Sequence, residues 1–253
     1  MRELHSREGR ENEIWVCHLG VVPYPAALAA QERMRDLRRE GEIADSLLLL
    51  EHPRVYTRGR RSGAGDLPLG EDFYRSRGID VIDVDRGGRV TYHEPGQLVG
   101  YPIMEVRDVA RHVRTMEASL IDAIAQEGID ARARTAEGPD YTGVWVQDRK
   151  IGSIGVHIRG GVSTHGFSLN VWNDLEMTGW IVACGLPDAA ATSVERESPA
   201  AAGCEERMRC VRRRVAHSFC SAHSRRQRLV SPRALGIDGI LAGSGKALTG
   251  AAA

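Results

Sequence analysis

The order of strand-like and helix-like segments in this 253-residue chain predicts an α+β domain. Three observations carry that reading. Two segments, residues 25–39 and 109–124, have the build of surface helices. Short apolar runs of strand length recur between them. Residues 144–146, 151–158 and 162–171 then read as consecutive strands, and Gly160-Gly161 between the last two suits a tight hairpin turn.

In chain order, residues 14–19 form a first strand. The helix over 25–39 has Pro25 near its start and Gly41 past its end, the usual asymmetry of helix termini. Leu47, Leu48, Leu49 and Leu50 make a short, fully apolar strand. Residues 52–66 are rich in Gly and Arg and read as a loop. Strands over 81–84 and 98–103 flank a glycine-rich segment. Asp108 can cap a helix whose apolar residues are Val109, Val113, Met116, Leu120 and Ile124, one stripe at spacings of three and four, and Gly128 stops it. From Glu195 to Arg228 the chain carries nine arginines against four acids with no sustained apolar period. Val211, Val215 and Phe219 there suit one short amphipathic helix. Residues 231–253 are Gly/Ala/Ser-rich and expected to be disordered. The expected division is an ordered catalytic unit over 1–194 and a poorly ordered tail over 195–253.

Composition excludes several functions. The 34 basic and 34 acidic residues balance, so there is no global pull toward nucleic acid or membrane. No apolar run approaches bilayer length, and residues 1–12 lack the apolar core of a signal peptide, so a cytoplasmic location is expected. The five cysteines fit no disulfide framework. Cys204, Cys210 and Cys220, near His217 and His223, miss the close-paired spacing of zinc hooks, so no metal is expected.

The chemistry concentrates in three places. Arg86, Gly87, Gly88, Arg89, Val90, Thr91, Tyr92 and His93 set glycines and a titratable ring beside a short apolar strand, a composition that suits a substrate cradle. Too few glycines fall in register for a dinucleotide or P-loop fingerprint. Lys150 is one of only two lysines among the 34 basic residues, and it sits in a glycine-rich strand. Lysine can lose its proton when buried, which arginine cannot. Cys184 stands on a Gly/Pro-containing turn. As a thiolate beside a positive charge it is a nucleophile; without one it is a small buried hydrophobe. His93 and His165 either line a pocket or satisfy a buried carbonyl.

Taken together, several motifs resemble the lipoyl(octanoyl) transferase family over about residues 14–194. They are Leu49-Leu50-Glu51-His52-Pro53 with Val55-Tyr56-Thr57, Arg86-Gly87-Gly88 through Pro102-Ile103, Lys150-Ile151-Gly152-Ser153-Ile154-Gly155, His165-Gly166-Phe167-Ser168-Leu169-Asn170, and Ala183-Cys184-Gly185. The resemblance implies the fold of biotin and lipoate protein ligases: a mixed, mainly antiparallel sheet flanked by helices. It implies that Cys184 takes an octanoyl group from octanoyl-acyl carrier protein as a thioester. The target lysine of a lipoyl domain, in 2-oxoacid dehydrogenase E2 subunits or the glycine cleavage H protein, then receives it. Lys150 would favour the thiolate and relay the proton. Residues Arg86 to His93 together with Ser153, Ile154, Gly155, Gly166, Phe167 and Ser168 would line the acyl site, with His165 a further pocket residue. No cofactor, metal or nucleotide is implied, and a monomer is expected.

Three features depart from the family pattern. Glu94 stands where glycine is usual and could hold His93 protonated or face solvent. Ser168 replaces alanine, and the arginine-rich C-terminal region does not resemble the family's apolar helical one. Two alternatives remain: a non-catalytic relative that binds carrier or lipoyl domains, and an ATP-dependent ligase, for which Arg58-Gly59-Arg60-Arg61 would be the adenylate loop.

Overall fold

The computed structural model of the chain describes residues 11–181, 189–198 and 203–245. Among them the strands form two sheets. β1 (Glu13–Val21), β2 (Ser46–Glu51), β6 (Gln97–Ile103), β7 (Arg132–Ala133), β8 (Gly143–Val146), β9 (Arg149–Arg159), β10 (Val162–Asn170) and β11 (Arg226–Leu229) build the large one, in the order β11-β1-β2-β6-β10-β9-β8-β7. β1 runs parallel to β2 and β11; every other pairing in this sheet is antiparallel. β3 (Val55–Arg58), β4 (Asp80–Asp83) and β5 (Val90–His93) form the small sheet, in the order β4-β3-β5. The predicted hairpin is present: Gly160 and Gly161 have φ of 59° and 79°, values open to glycine at no steric cost, and the turn joins β9 to β10.

Helices cover both faces of the large sheet. α1 (Tyr24–Arg39) packs Ala27, Ala30, Met34 and Leu37 onto one face, against Leu48, Leu50, Val99, Tyr101 and Ile103. α3 (Val109–Ala125) covers the other, and the Asp108 side chain caps it by accepting from the Arg111 amide at 2.9 Å. β2 is central, so its side chains are buried on both sides: Leu47 and Leu49 face α3, Leu48 and Leu50 face α1. This explains a leucine run with no alternation. The short helices α2 (Glu71–Arg75) and α4 (Val194–Glu197) lie at the periphery.

Two expectations need correction. The stretch 52–66 is not all loop; it contains β3, whose Tyr56 is fully buried. Nor is the region after Val194 a tail throughout. α5 (Cys204–Ala222) is a 19-residue helix that lays Met208, Val211, Val215 and Phe219 into the core shared with α3. β11 then pairs with β1, and Leu235 and Ile237, ahead of α6 (Asp238–Gly245), are fully buried against α1. The apolar stripe was hidden by arginines, yet those arginines are tied in place. Arg207 donates to the Ser198 carbonyl at 2.6 Å, Arg212 meets Glu51 at 3.0 Å, and Arg214 pairs with Glu127. A long arginine stem covers apolar surface while its head stays bonded, so charge count is a poor guide to burial here.

Candidate functional site

The site lies on the α1 face of the large sheet, between α1 and the small sheet. Two cavities meet there. The first is lined by Val90, Thr91 and Tyr92 of β5, Gln97 of β6, Trp145 of β8, Lys150 and Ser153 of β9, and Asn170 of β10. Thr178, Ile181 and residues 189–191 close it. The second is lined by Arg86, Thr91, His93, Ser153, Ile154, Gly155, His165, Gly166, Phe167 and Ser168, with Tyr24, Val99 and Tyr101. Thr91 and Ser153 line both, so the two cavities adjoin, and together they are the candidate path.

A bulge aims Lys150 into this path. Residues alternate faces along a strand, so Lys150 and Ser153, three apart, should point to opposite sides. The β8–β9 register pairs Val144 with Gly152 and Trp145 with Lys150, leaving Ile151 as the extra residue. An extra residue shifts the alternation by one. Ile151 therefore joins Ile154 and Val156 on the α3 side, and Lys150 joins Ser153 on the cavity side. Lys150 is 8% exposed, and its Nζ lies 5.2 Å from the centre of the Trp145 ring. Its backbone also pairs with the chain that returns to the site: Lys150 N donates to Ala190 O at 2.8 Å, and Thr192 N to Lys150 O at 3.0 Å.

Cys184 falls outside the described residues, so the structure does not measure its separation from Lys150. The residues that flank its segment are described, and both Ile181 and Ala189 line the Lys150 cavity. Two buried tyrosines anchor the turn before it: Tyr56 donates to Met177 O at 2.7 Å and Tyr74 to Trp180 O at 2.8 Å.

Hydrogen bonds lock the polar side chains of the path. His93 Nδ1 donates to Gln97 Oε1 at 2.7 Å. The Gln97 amide donates to Tyr92 O and to Asn170 Oδ1, and Asn170 donates to Thr192 O at 3.0 Å. Burial, reinforced by neighbouring His52, pushes His93 well below the ordinary histidine range, so its ring is neutral and Nε2 is an acceptor. Arg86 is anchored through bonds of 2.7 Å to both the carbonyl and hydroxyl oxygens of Thr57. His165 occupies a left-handed conformation, φ 56°, uncommon for a side-chain-bearing residue and associated with functional strain. Gln31 holds its amide at 2.7 Å and Asp85 its Nε2 at 2.8 Å.

The sequence-predicted residues divide. Arg86, Thr91, His93, Ser153, Ile154, Gly155, His165, Gly166, Phe167 and Ser168 come together around the second cavity, and Val90, Thr91 and Tyr92 around the first. Gly87, Gly88 and Arg89 do not line either cavity; with Arg60 and Arg61 they line a third cleft, which shares Ile154 and Gly155 with the second cavity. Glu94 neither protonates His93 nor faces solvent. It is 2% exposed, accepts from Tyr92 OH at 3.2 Å and sits 3.6 Å from Arg54, and burial pushes its carboxyl up. In the candidate adenylate loop, Arg58 is committed to Asp83 and Glu71, and Arg61 to Asp140. Sequence reasoning missed Tyr24 and Trp145, and it held Gln97, Val99, Tyr101 and Asn170 only within longer motif segments, not as site residues. Each sits in a plain helix or strand, and only the pairing of distant strands brings it to the cavity. Among the described residues no cluster of three His, Cys, Asp or Glu could hold a metal, and no helix is long and apolar enough to cross a membrane.

Comparison with known proteins agrees with this architecture. An octanoyltransferase of Solibacter usitatus is 47% identical over 66% of this chain and 76% of its own length. One of Rubrobacter xylanophilus is 47% identical over 70% of this chain and 80% of its own. Among solved structures, a lipoate-protein ligase A bound with ATP superposes with a TM-score of 0.69 at 17% identity, covering 90% of this chain and 92% of that one. The Thermoplasma acidophilum putative lipoate protein ligase with bound lipoic acid gives 0.70 at 18%, with the same coverage. At such identities the likeness shows the fold, which is the mixed, mainly antiparallel α+β architecture expected from the sequence. The lipoyl protein ligase A/B catalytic domain profile matches residues 23–216, and the chain belongs to that family.

Proposed function

We propose that this protein is an acyltransferase that moves an octanoyl group from octanoyl-acyl carrier protein to the target lysine of lipoyl domains, through a thioester on Cys184. The observation that carries the proposal is the path itself. A buried lysine, aimed by a bulge, lines the first cavity, and Ile181 and Ala189, which flank the Cys184 segment, line the same cavity. The octanoyltransferase relatives support the octanoyl group as cargo.

Chemically, Cys184 attacks the donor carbonyl and the carrier thiol leaves; the acceptor amine then attacks the new thioester and releases Cys184. Thioester exchange is nearly balanced and the final amide is downhill, so no nucleotide is consumed. Lys150 supplies positive charge that favours the thiolate and a nitrogen that can pass a proton on. Burying the acyl chain contributes roughly 0.8 kcal/mol per CH₂, which binds an otherwise featureless substrate. The acceptors of this reading are lipoyl domains of 2-oxoacid dehydrogenase E2 subunits and of the glycine cleavage H protein.

Intact mass after incubation with octanoyl-acyl carrier protein tests the proposal. The wild type should gain one octanoyl group and pass it to a lipoyl domain. Cys184→Ser should form no thioester. Lys150→Arg, which keeps the charge without a removable proton, should lose onward transfer more than loading. A full adduct on Cys184→Ser places the nucleophile elsewhere, and pyrophosphate exchange with ATP would favour a ligase.

A further inference from the structure

A further cleft, of about 400 Å³, lies at the other end of β6 from the candidate path. Gln97, the first residue of that strand, lines the Lys150 cavity, while Met104, just past its last, lines the cleft. Seven residue steps of strand put roughly 23 Å between them. None of the cleft's residues lines either of the two adjoining cavities. Its wall comes from the first turns of α3, the end of α5, the approach to β2, the loop after β6 and Arg38 of α1.

The charges of this wall do not cancel. Four arginines, Arg38, Arg107, Arg111 and Arg225, line it together with three carboxylates, and each carboxylate is already committed. Asp45, 2% exposed, accepts from Arg38 Nε at 2.6 Å and from Arg225, and it holds the Glu105 amide at 3.0 Å. Glu105 pairs with Arg38 at 3.5 Å and with Arg107 at 3.2 Å. Asp108 caps α3. Arg111 is exposed, and among the described residues its guanidinium meets no carboxylate.

Two imidazoles stand on the same wall. His112, 6% exposed, has no hydrogen-bond partner for its Nε2 among the described residues. His223 Nδ1 donates to Phe219 O at 2.8 Å, and its Nε2 is uncommitted among the described residues. Burial lowers His223, and the charges of Arg225 and Arg111 lower it further, so both guanidiniums act on this ring. A cation entering the cleft would find every carboxylate taken. An oxyanion finds a whole guanidinium free, with a second one and an imidazole close by.

We propose that this cleft binds a small molecule carrying a phosphate or carboxylate group, held by Arg111 and Arg225 with His223 beside them. The planar fork of arginine matches both oxyanions in two parallel bonds, and such charged bonds are strong. A volume near 400 Å³ is that of a metabolite site, of which a bare ion fills only a part. Arg111 lies in the first turn of α3, and Arg225 leads into β11. The ligand therefore bridges the arginine-rich C-terminal region to the rest of the domain, and it should raise the melting temperature by binding the folded state alone. Binding here asks nothing of Lys150 or Cys184, so the test needs no turnover.

Calorimetry on the full chain at pH 7 uses three probes: sulfate, glucose 6-phosphate and citrate. At least one of the two organic anions should bind saturably with a Kd below about 1 mM, and more tightly than sulfate. Arg111→Ala should weaken that binding by about tenfold or more, the loss of a charged hydrogen bond, and should abolish the thermal shift. Arg111 is exposed, so this variant should melt within about 2 °C of wild type without ligand. Arg209→Ala removes the same charge outside the cleft and should leave Kd within about twofold. Binding of sulfate as tightly as of the organic probes marks an adventitious ion only and overturns the proposal. So does the absence of saturable binding by any probe up to about 10 mM, or a Kd that Arg111→Ala changes no more than Arg209→Ala does.

Discussion

Phe219→Ala tests whether the arginine-rich C-terminal helix belongs to the folded core. Phe219 is fully buried on α5, its ring 6.4 Å from that of Phe167 on β10 and 4.4 Å from that of His223. It closes the stripe begun by Met208, Val211 and Val215, so its removal opens a cavity between α5 and the sheet. Buried Phe-to-Ala changes cost about 3–5 kcal/mol, from lost transfer energy plus the cavity left behind. That is a large part of the roughly 5–15 kcal/mol by which domains are stable. At roughly 2–4 °C per kcal/mol for a chain of this size, the thermal midpoint should fall by roughly 10 °C. Urea unfolding followed by circular dichroism should show a lower midpoint with an unchanged slope. Leu229→Ala, at a residue 66% exposed, is the control and should stay within about 0.5 kcal/mol of wild type. A Phe219→Ala loss below about 1 kcal/mol would refute the placement of α5 in the core.

Other perturbations separate the remaining claims. A Cβ on Gly143, where φ is 134°, would lie 2.4 Å from Gly152 O and 2.9 Å from Lys150 Cε; Gly143→Ala should cut octanoyl transfer by roughly a hundredfold through misplacing Lys150, read as kcat/KM beside the melting temperature. His112 is 6% exposed, and burial, aided by nearby His223, lowers it to about 4. As pH falls from 6.5 the unfolded chain takes up this proton first, so its contribution is complete above 6.5, shrinks between 6.5 and 4, and levels off below. His112→Leu should flatten the acid loss of stability by up to about 3 kcal/mol, measured by urea unfolding at pH 7 and pH 4.5. Glu51 accepts from Gly96 N at 2.8 Å and from Arg212 at 3.0 Å, joining the substrate segment to α5. Glu51→Ala should cost about 3 kcal/mol, and a double-mutant cycle with Arg212→Ala should show coupling above about 0.5 kcal/mol.

The sequence by itself determined the local elements and most of the chemistry-bearing residues. Turn glycines, the Asp108 cap and the apolar period of α3 act within a few residues of chain, so their consequences can be read from the order of residues alone. The grouping of Arg86, Ser153 and Gly166 was implied by the family resemblance of the glycine-rich runs that hold them. Tertiary structure alone decided three things. It aimed Lys150, because a bulge is a fact about two paired strands and Ile151 looks ordinary by itself. It brought Tyr24 and Tyr101 to the same cavity, because α1 and β6 meet only in the fold. It brought α5 into the core, because an arginine's charge announces solvent until a particular carbonyl or carboxylate is found at its tip.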